Sequence, residues 1–103
     1  MAENKDHASS PAITQVIAQL LDRGAIGAVV TVVRGPNTGA KLLLDERAIV
    51  TGSLGNAELD TLVAAQTAEF LRSHHETRMV AVKDFAPEFP GAAETFLMFE
   101  RLQ

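Results

Sequence analysis

Three short apolar segments crowd residues 28–51, and the gaps between them leave room only for turns. Ala28 to Val33 is rich in β-branched residues and nearly continuous in apolarity, the pattern of a strand covered on both faces. Arg34-Gly-Pro-Asn-Thr-Gly39 follows as a turn cluster. Lys41 to Leu44 and Ala48 to Thr51 then read as short strands flanking a hairpin at Asp45-Glu46-Arg47. Parallel neighbours need a crossover of a dozen or more residues, so such close spacing favours antiparallel pairing.

Helical patterns bracket this block. Ser10 can cap and Pro11 suits a first helical position. Ile13, Val16, Ile17, Leu20 and Leu21 then form one core-facing stripe that Gly24 should end. A second helix is expected from about Asn56 to Ser73, with Leu59, Leu62, Val63, Phe70 and Leu71 apolar. Thr77 to Val82 reads as a strand, Asp84 to Ala93 as a Pro- and Gly-bearing loop, and Glu94 to Leu102 as the closing strand. The order α-β-β-β-α-β-β predicts one small α+β domain over residues 10–103. Its sheet, mixed or antiparallel, has about five strands and carries two main helices. Residues 1–9 are polar and read as a disordered tail.

Composition narrows the function. A chain of 103 residues with 47% hydrophobic content can bury a modest core. The longest apolar run is far too short to span a bilayer, and the first ten residues lack a signal-peptide core. A cytoplasmic location with no membrane partner is the expectation. The net charge of −4 argues against nucleic-acid binding, which needs clustered Lys and Arg. Without cysteine there is no disulfide, thiolate nucleophile or iron–sulfur cluster.

The passage Thr51-Gly-Ser-Leu-Gly-Asn-Ala-Glu-Leu-Asp60 carries the clearest site signal. A strand enters a glycine turn that opens onto a helix, the layout that aims free backbone N–H groups at an anion. Gly52, Ser53, Gly55 and Asn56 are therefore candidate phosphate contacts, with Lys41 as a counter-charge. The competing reading is a tight turn whose Ser53 or Asn56 caps the helix, with Lys41 an exposed strand lysine. Glu58 and Asp60 in the first helical turn complement the dipole but repel an anion. His74-His75-Glu76 lies at a helix end with no third ligand in evidence, so the dipole explains it better than a metal. Asp84, Glu88 and Glu94 read as solvated loop charges. No nucleophile–base pair is apparent, so a non-enzymatic role is expected. Phe96-Leu-Met-Phe99 is apolar on both strand faces, which predicts a homo-oligomer, most simply a dimer.

Three pieces of the chain resemble the amino-terminal domain of the xanthine dehydrogenase accessory factor (XdhC/CoxI) family. They are Ala28-Val-Val-Thr-Val-Val-Arg34 with Gly39-Ala-Lys-Leu-Leu-Leu44, then Gly52-Ser-Leu-Gly-Asn-Ala-Glu-Leu-Asp60, then Gly91-Ala-Ala-Glu-Thr-Phe-Leu-Met-Phe-Glu-Arg-Leu102. They occur in the family's order over roughly residues 12–102. The resemblance implies an accessory role in handling a molybdopterin-type cofactor or another phosphate-bearing ligand. It also implies a molybdenum hydroxylase or a separate Rossmann-domain protein as partner. Where the family carries cysteine, this chain has Gly91 and Glu58.

Overall fold

The computed structural model describes residues 4–102. Helix α1 spans Asn4–Arg23 and is followed by strands β1 (Gly27–Arg34), β2 (Lys41–Asp45) and β3 (Val50–Ser53). Helix α2 (Ala57–Arg72) leads to β4 (Thr77–Ala81). Two short 3-10 turns, Val82–Asp84 and Ala92–Glu94, then precede β5 (Phe96–Arg101). The expected α-β-β-β-α-β-β order holds, and the domain is α+β.

Part of the expected tail, residues 1–3, lies outside the described residues, and α1 begins at Asn4 rather than at the Ser10 cap. Residues 4–9 contain no glycine or proline. The helix therefore extends past Pro11 at the cost of one backbone donor. Gly24 ends it in the left-handed region at φ 68°. There the Gly24 N–H donates to Leu21 O at 3.1 Å and the Ala25 N–H to Leu20 O at 2.9 Å. Among the described residues no helix is long and apolar enough to cross a membrane.

The sheet runs β3-β2-β1-β5-β4, with every neighbouring pair antiparallel. The mixed alternative is thereby removed. β3 and β4 are the edges, and α2 carries the chain from one edge to the other across one face. β5 then turns back between β4 and β1. Val30, Leu42, Leu97 and Phe99 face α2 and pack in one core with Leu59, Val63 and Phe70. The Phe70 and Phe99 rings lie 5.6 Å apart. On the opposite face α1 packs over β2 and β3, and Leu20 is buried with Val29 and Leu43.

Several strand boundaries differ from expectation, and at the starts of β3 and β5 a turn takes the end residues. Ala48 is not in a strand but at φ 64° in the β2–β3 turn. Asp45, buried in that turn, accepts from the N–H groups of Arg47 at 2.8 Å and Ile49 at 2.9 Å. A side chain that gathers two local donors favours a turn over ladder pairing. β5 begins at Phe96 rather than Glu94, because Ala92–Glu94 forms a 3-10 turn and the Thr95 hydroxyl donates back to Gly91 O at 2.9 Å.

Candidate functional site

β3 ends at Ser53 and α2 starts at Ala57, so Leu54, Gly55 and Asn56 must turn the chain. Leu54 is buried in the core and anchors the turn from below. Asn56 is the N-cap: its backbone is extended and its Oδ1 accepts from the Leu59 N–H at 3.0 Å. Asp60 folds back from the first turn of α2. Its Oδ1 accepts from the Leu54 N–H at 2.8 Å, and its Oδ2 accepts from the Ser53 hydroxyl at 2.7 Å. The Ser53 oxygen in turn accepts from the Gly55 N–H at 3.0 Å. One carboxylate thus occupies donors that an anion bound at residues 53–55 would need. Sequence reading saw Asp60 as a dipole complement that repels an anion and missed this clasp, although its place in the first turn was a usable signal.

Gly52, within β3, and Gly55, in the turn, have different jobs. Gly52 sits at φ 86°, and a Cβ there would meet Lys41 O at 2.6 Å and Ile13 Cδ1 at 2.7 Å. Its lack of a side chain lets α1 seat Ile13 on the sheet edge. Gly55, at φ 99°, has the Asn37 amide packed against it, with Asn37 Cγ 2.8 Å from where a Cβ would stand. Asn37 belongs to the β1–β2 loop and is itself in the left-handed region at φ 63°. Two loops far apart in sequence are therefore interlocked.

Lys41 is the register partner of Ser53 on β3 and of Thr31 on β1. Its ammonium turns away from β3 and donates to the Thr31 hydroxyl at 3.1 Å. The structure thus sets Gly52 and Ser53 at the end of β3, Gly55 and Asn56 in the turn that follows, and sends the Lys41 charge across the sheet. His74 and His75 lie just after α2, and the His75 N–H donates to Ser73 Oγ at 3.3 Å.

Beside the turn is a cleft of 220 Å³. The β1–β2 loop supplies Pro36 and Asn37, and the loop before β5 supplies Phe89, Pro90 and Thr95. The turn and first helical residues supply Leu54, Gly55, Asn56, Glu58 and Leu59. Among the described residues no Lys or Arg lines it. The N–H groups of Asn56, Ala57 and Glu58 have no hydrogen-bond partner among the described residues, as expected for the start of a helix. The cleft therefore offers amide donors and acceptors, one carboxylate and apolar walls, without a cation to neutralise a phosphate. Asn37, Phe89 and Thr95 were missed by sequence reading. The turn cluster at 34–39 signalled a bend, but nothing local says which other loop it meets. Compared with known proteins, the chain matches no protein-family model and no curated protein.

Proposed function

We propose that this protein is a non-catalytic accessory or binding module, akin to the molybdenum-cofactor-handling domain of xanthine dehydrogenase maturation factors. Its ligand is held in the cleft over the start of α2. The observation that carries the reading is the convergence of three loops on 220 Å³ of apolar and amide-lined space. Sites for whole drug-sized ligands run to about 300–1,000 Å³, so this cleft suits one ring system rather than a complete dinucleotide. Glu58 on its wall and Asp60 clasping the adjoining turn disfavour a phosphate there. A neutral ring with hydrogen-bonding edges, such as the pterin portion of a molybdopterin-type cofactor, meets Asn37, Asn56 and the apolar walls without that penalty. Phosphate would stay at the rim, against the free N–H groups that begin α2. Of the sequence candidates, Gly55 and Asn56 belong to this site, Ser53 and Gly52 support the turn, and Lys41 lies outside it. The partners that fit this role are a molybdenum hydroxylase or a separate Rossmann-domain protein, in the cytoplasm.

Titration with a molybdopterin-type cofactor, and with common nucleotides in parallel, tests this by amide chemical shifts. Shifts confined to Asn37, Gly55, Asn56 and Phe89 are expected with the cofactor. A specific observation favours a second reading, an interaction domain that kept the fold and lost the ligand: Asp60 already fills the donors of Ser53 and Leu54. If no ligand moves these amides at millimolar concentration, that second reading replaces the first.

A further inference from the structure

The polarity of the cleft over the start of α2 narrows what can enter it. Among the described residues that line it, Glu58 carries the only charged side chain. Among the described residues its carboxylate is in no ion pair and accepts no hydrogen bond. The other polar side chains on the wall are partly spent. Asn56 Oδ1 accepts from the Leu59 N–H at 3.0 Å, and the Thr95 hydroxyl donates to Gly91 O at 2.9 Å. The Asn37 amide packs against Gly55. Phe89 supplies a half-buried aromatic wall. Glu58 and Phe89 also border an adjoining hollow with Leu62, Phe85 and Glu88, which sets the two side chains on one common wall.

We propose, on the reading that this cleft holds a ring, that Glu58 is its specificity-determining residue and selects a flat ring whose edge carries two adjacent N–H donors. The 2-amino-4-oxopyrimidine ring common to pterin and guanine has that edge. A carboxylate only accepts, and it presents two oxygens side by side. Its strongest partner is a planar pair of parallel N–H groups, the geometry in which arginine meets a carboxylate. In a 2-amino-4-oxopyrimidine the ring N–H and the neighbouring amino group form such a pair. The ring face stays free to pack on Phe89. A guanidinium alone has the same fork but leaves the apolar walls of Pro36, Leu54, Leu59 and Pro90 uncovered. Other rings of similar size fail at the edge itself. Lumazine and xanthine turn a carbonyl toward the carboxylate in place of the amino group. Hypoxanthine keeps one donor of the two. Adenine sets a ring acceptor beside its amino group, so one carboxylate oxygen faces a lone pair. A site that pairs with a donor rejects analogues lacking it, because its own polar group is then left unpaired.

Titration of the full chain into free pterin tests this. The chain has no Trp or Tyr, so the pterin emission is read without protein background. Guanosine, inosine, adenosine, lumazine and N-acetyl-arginine amide are scored by displacement and by amide shifts. Pterin and guanosine are expected to bind about tenfold or more tighter than the other four, the scale of one good bidentate contact. The tighter of the two tells a pterin source of the ring from a purine nucleoside. Glu58→Gln offers one acceptor and one donor. It should weaken pterin about tenfold or more while lumazine holds or gains. Glu88→Gln, in the adjoining hollow, should leave both unchanged, with circular dichroism confirming that each variant is folded. Equal binding of pterin and lumazine overturns the role of Glu58, as does a preference that survives Glu58→Gln; the cleft would still hold a ring. Tighter binding of N-acetyl-arginine amide than of any ring overturns the ligand class. If no ring binds at millimolar concentration, the ring-holding reading falls with it.

Discussion

Replacing Arg101 by methionine should cost more stability than any other single change at a partly exposed position. Arg101 ends β5, and its guanidinium lies over the C-terminus of α2. One terminal nitrogen donates to Phe70 O at 3.2 Å, Leu71 O at 3.0 Å and Ser73 O at 2.6 Å. Nε donates to His75 O at 3.1 Å, and the group sits 5.7 Å from the Phe70 ring centroid. The last carbonyls of a helix have no intrahelical donor and carry the negative end of its dipole. A half-buried cation there combines charge-assisted hydrogen bonds with a favourable dipole interaction. Bonds to charged groups contribute about 1.5–3 kcal/mol, and a cation at a helix C-terminus up to about 2 kcal/mol in partly buried geometry. The two terms overlap, because the same carbonyls supply both. A loss of about 2–4 kcal/mol is therefore expected for Arg101→Met, which keeps most of the stem. For a domain of this size that lowers Tm by roughly 10–25 °C. Arg101→Lys should recover less than half, since a single ammonium cannot fork across carbonyls on both sides of the turn. Urea unfolding followed by circular dichroism measures the loss as a lower midpoint at unchanged m-value. Glu100→Gln, its neighbour on the opposite face, is the control and should stay within about 0.5 kcal/mol. A Tm for Arg101→Met within about 2 °C of wild type would refute the reasoning, because the fork would then be ornamental to the fold.

Two further outcomes follow from the turn. Gly55→Ala must hold a Cβ at φ 99° against the Asn37 amide; a loss of about 1–3 kcal/mol is expected from the urea midpoint, since such backbone strain is of that order. Asn56→Ala removes the α2 cap and should lower stability by about 1 kcal/mol in a thermal melt, with the change in amide exchange confined to the first turn of the helix.

Much of the fold was legible because its signals are local. The stripe of Ile13, Val16, Ile17, Leu20 and Leu21, ended by Gly24, defines where α1 stops whatever it packs on. The β-branched run at residues 28–33 needs no partner to be read as a strand. Asn56 caps α2 through a bond three residues long, so its role lay within a window that sequence can show. The cap reading of Asn56 matches one of the side-chain hydrogen bonds at this segment, while two others belong to the Asp60 clasp that sequence did not show. The cleft was only half legible: Gly55 and Asn56 mark one wall, while Asn37, Phe89 and Thr95 come from loops that no local pattern ties to them.

What sequence determined, then, is the set of elements, their order and the helix ends at Gly24 and Asn56, because period, capping and turn chemistry act over a few residues. Tertiary structure decided which strands became neighbours. β5 lies between β1 and β4 because that register puts Leu97 and Phe99 under α2 beside Val30 and Val32. The same placement carries Arg101 to carbonyls 28–31 residues earlier in the chain. The pairing of β1 with β2 sends the Lys41 ammonium to the Thr31 hydroxyl rather than toward the glycine turn. Local rules say which residues of a strand share a face. Only the joint burial of all the strands says what that face meets, because the stabilisation comes from surfaces that no single segment possesses.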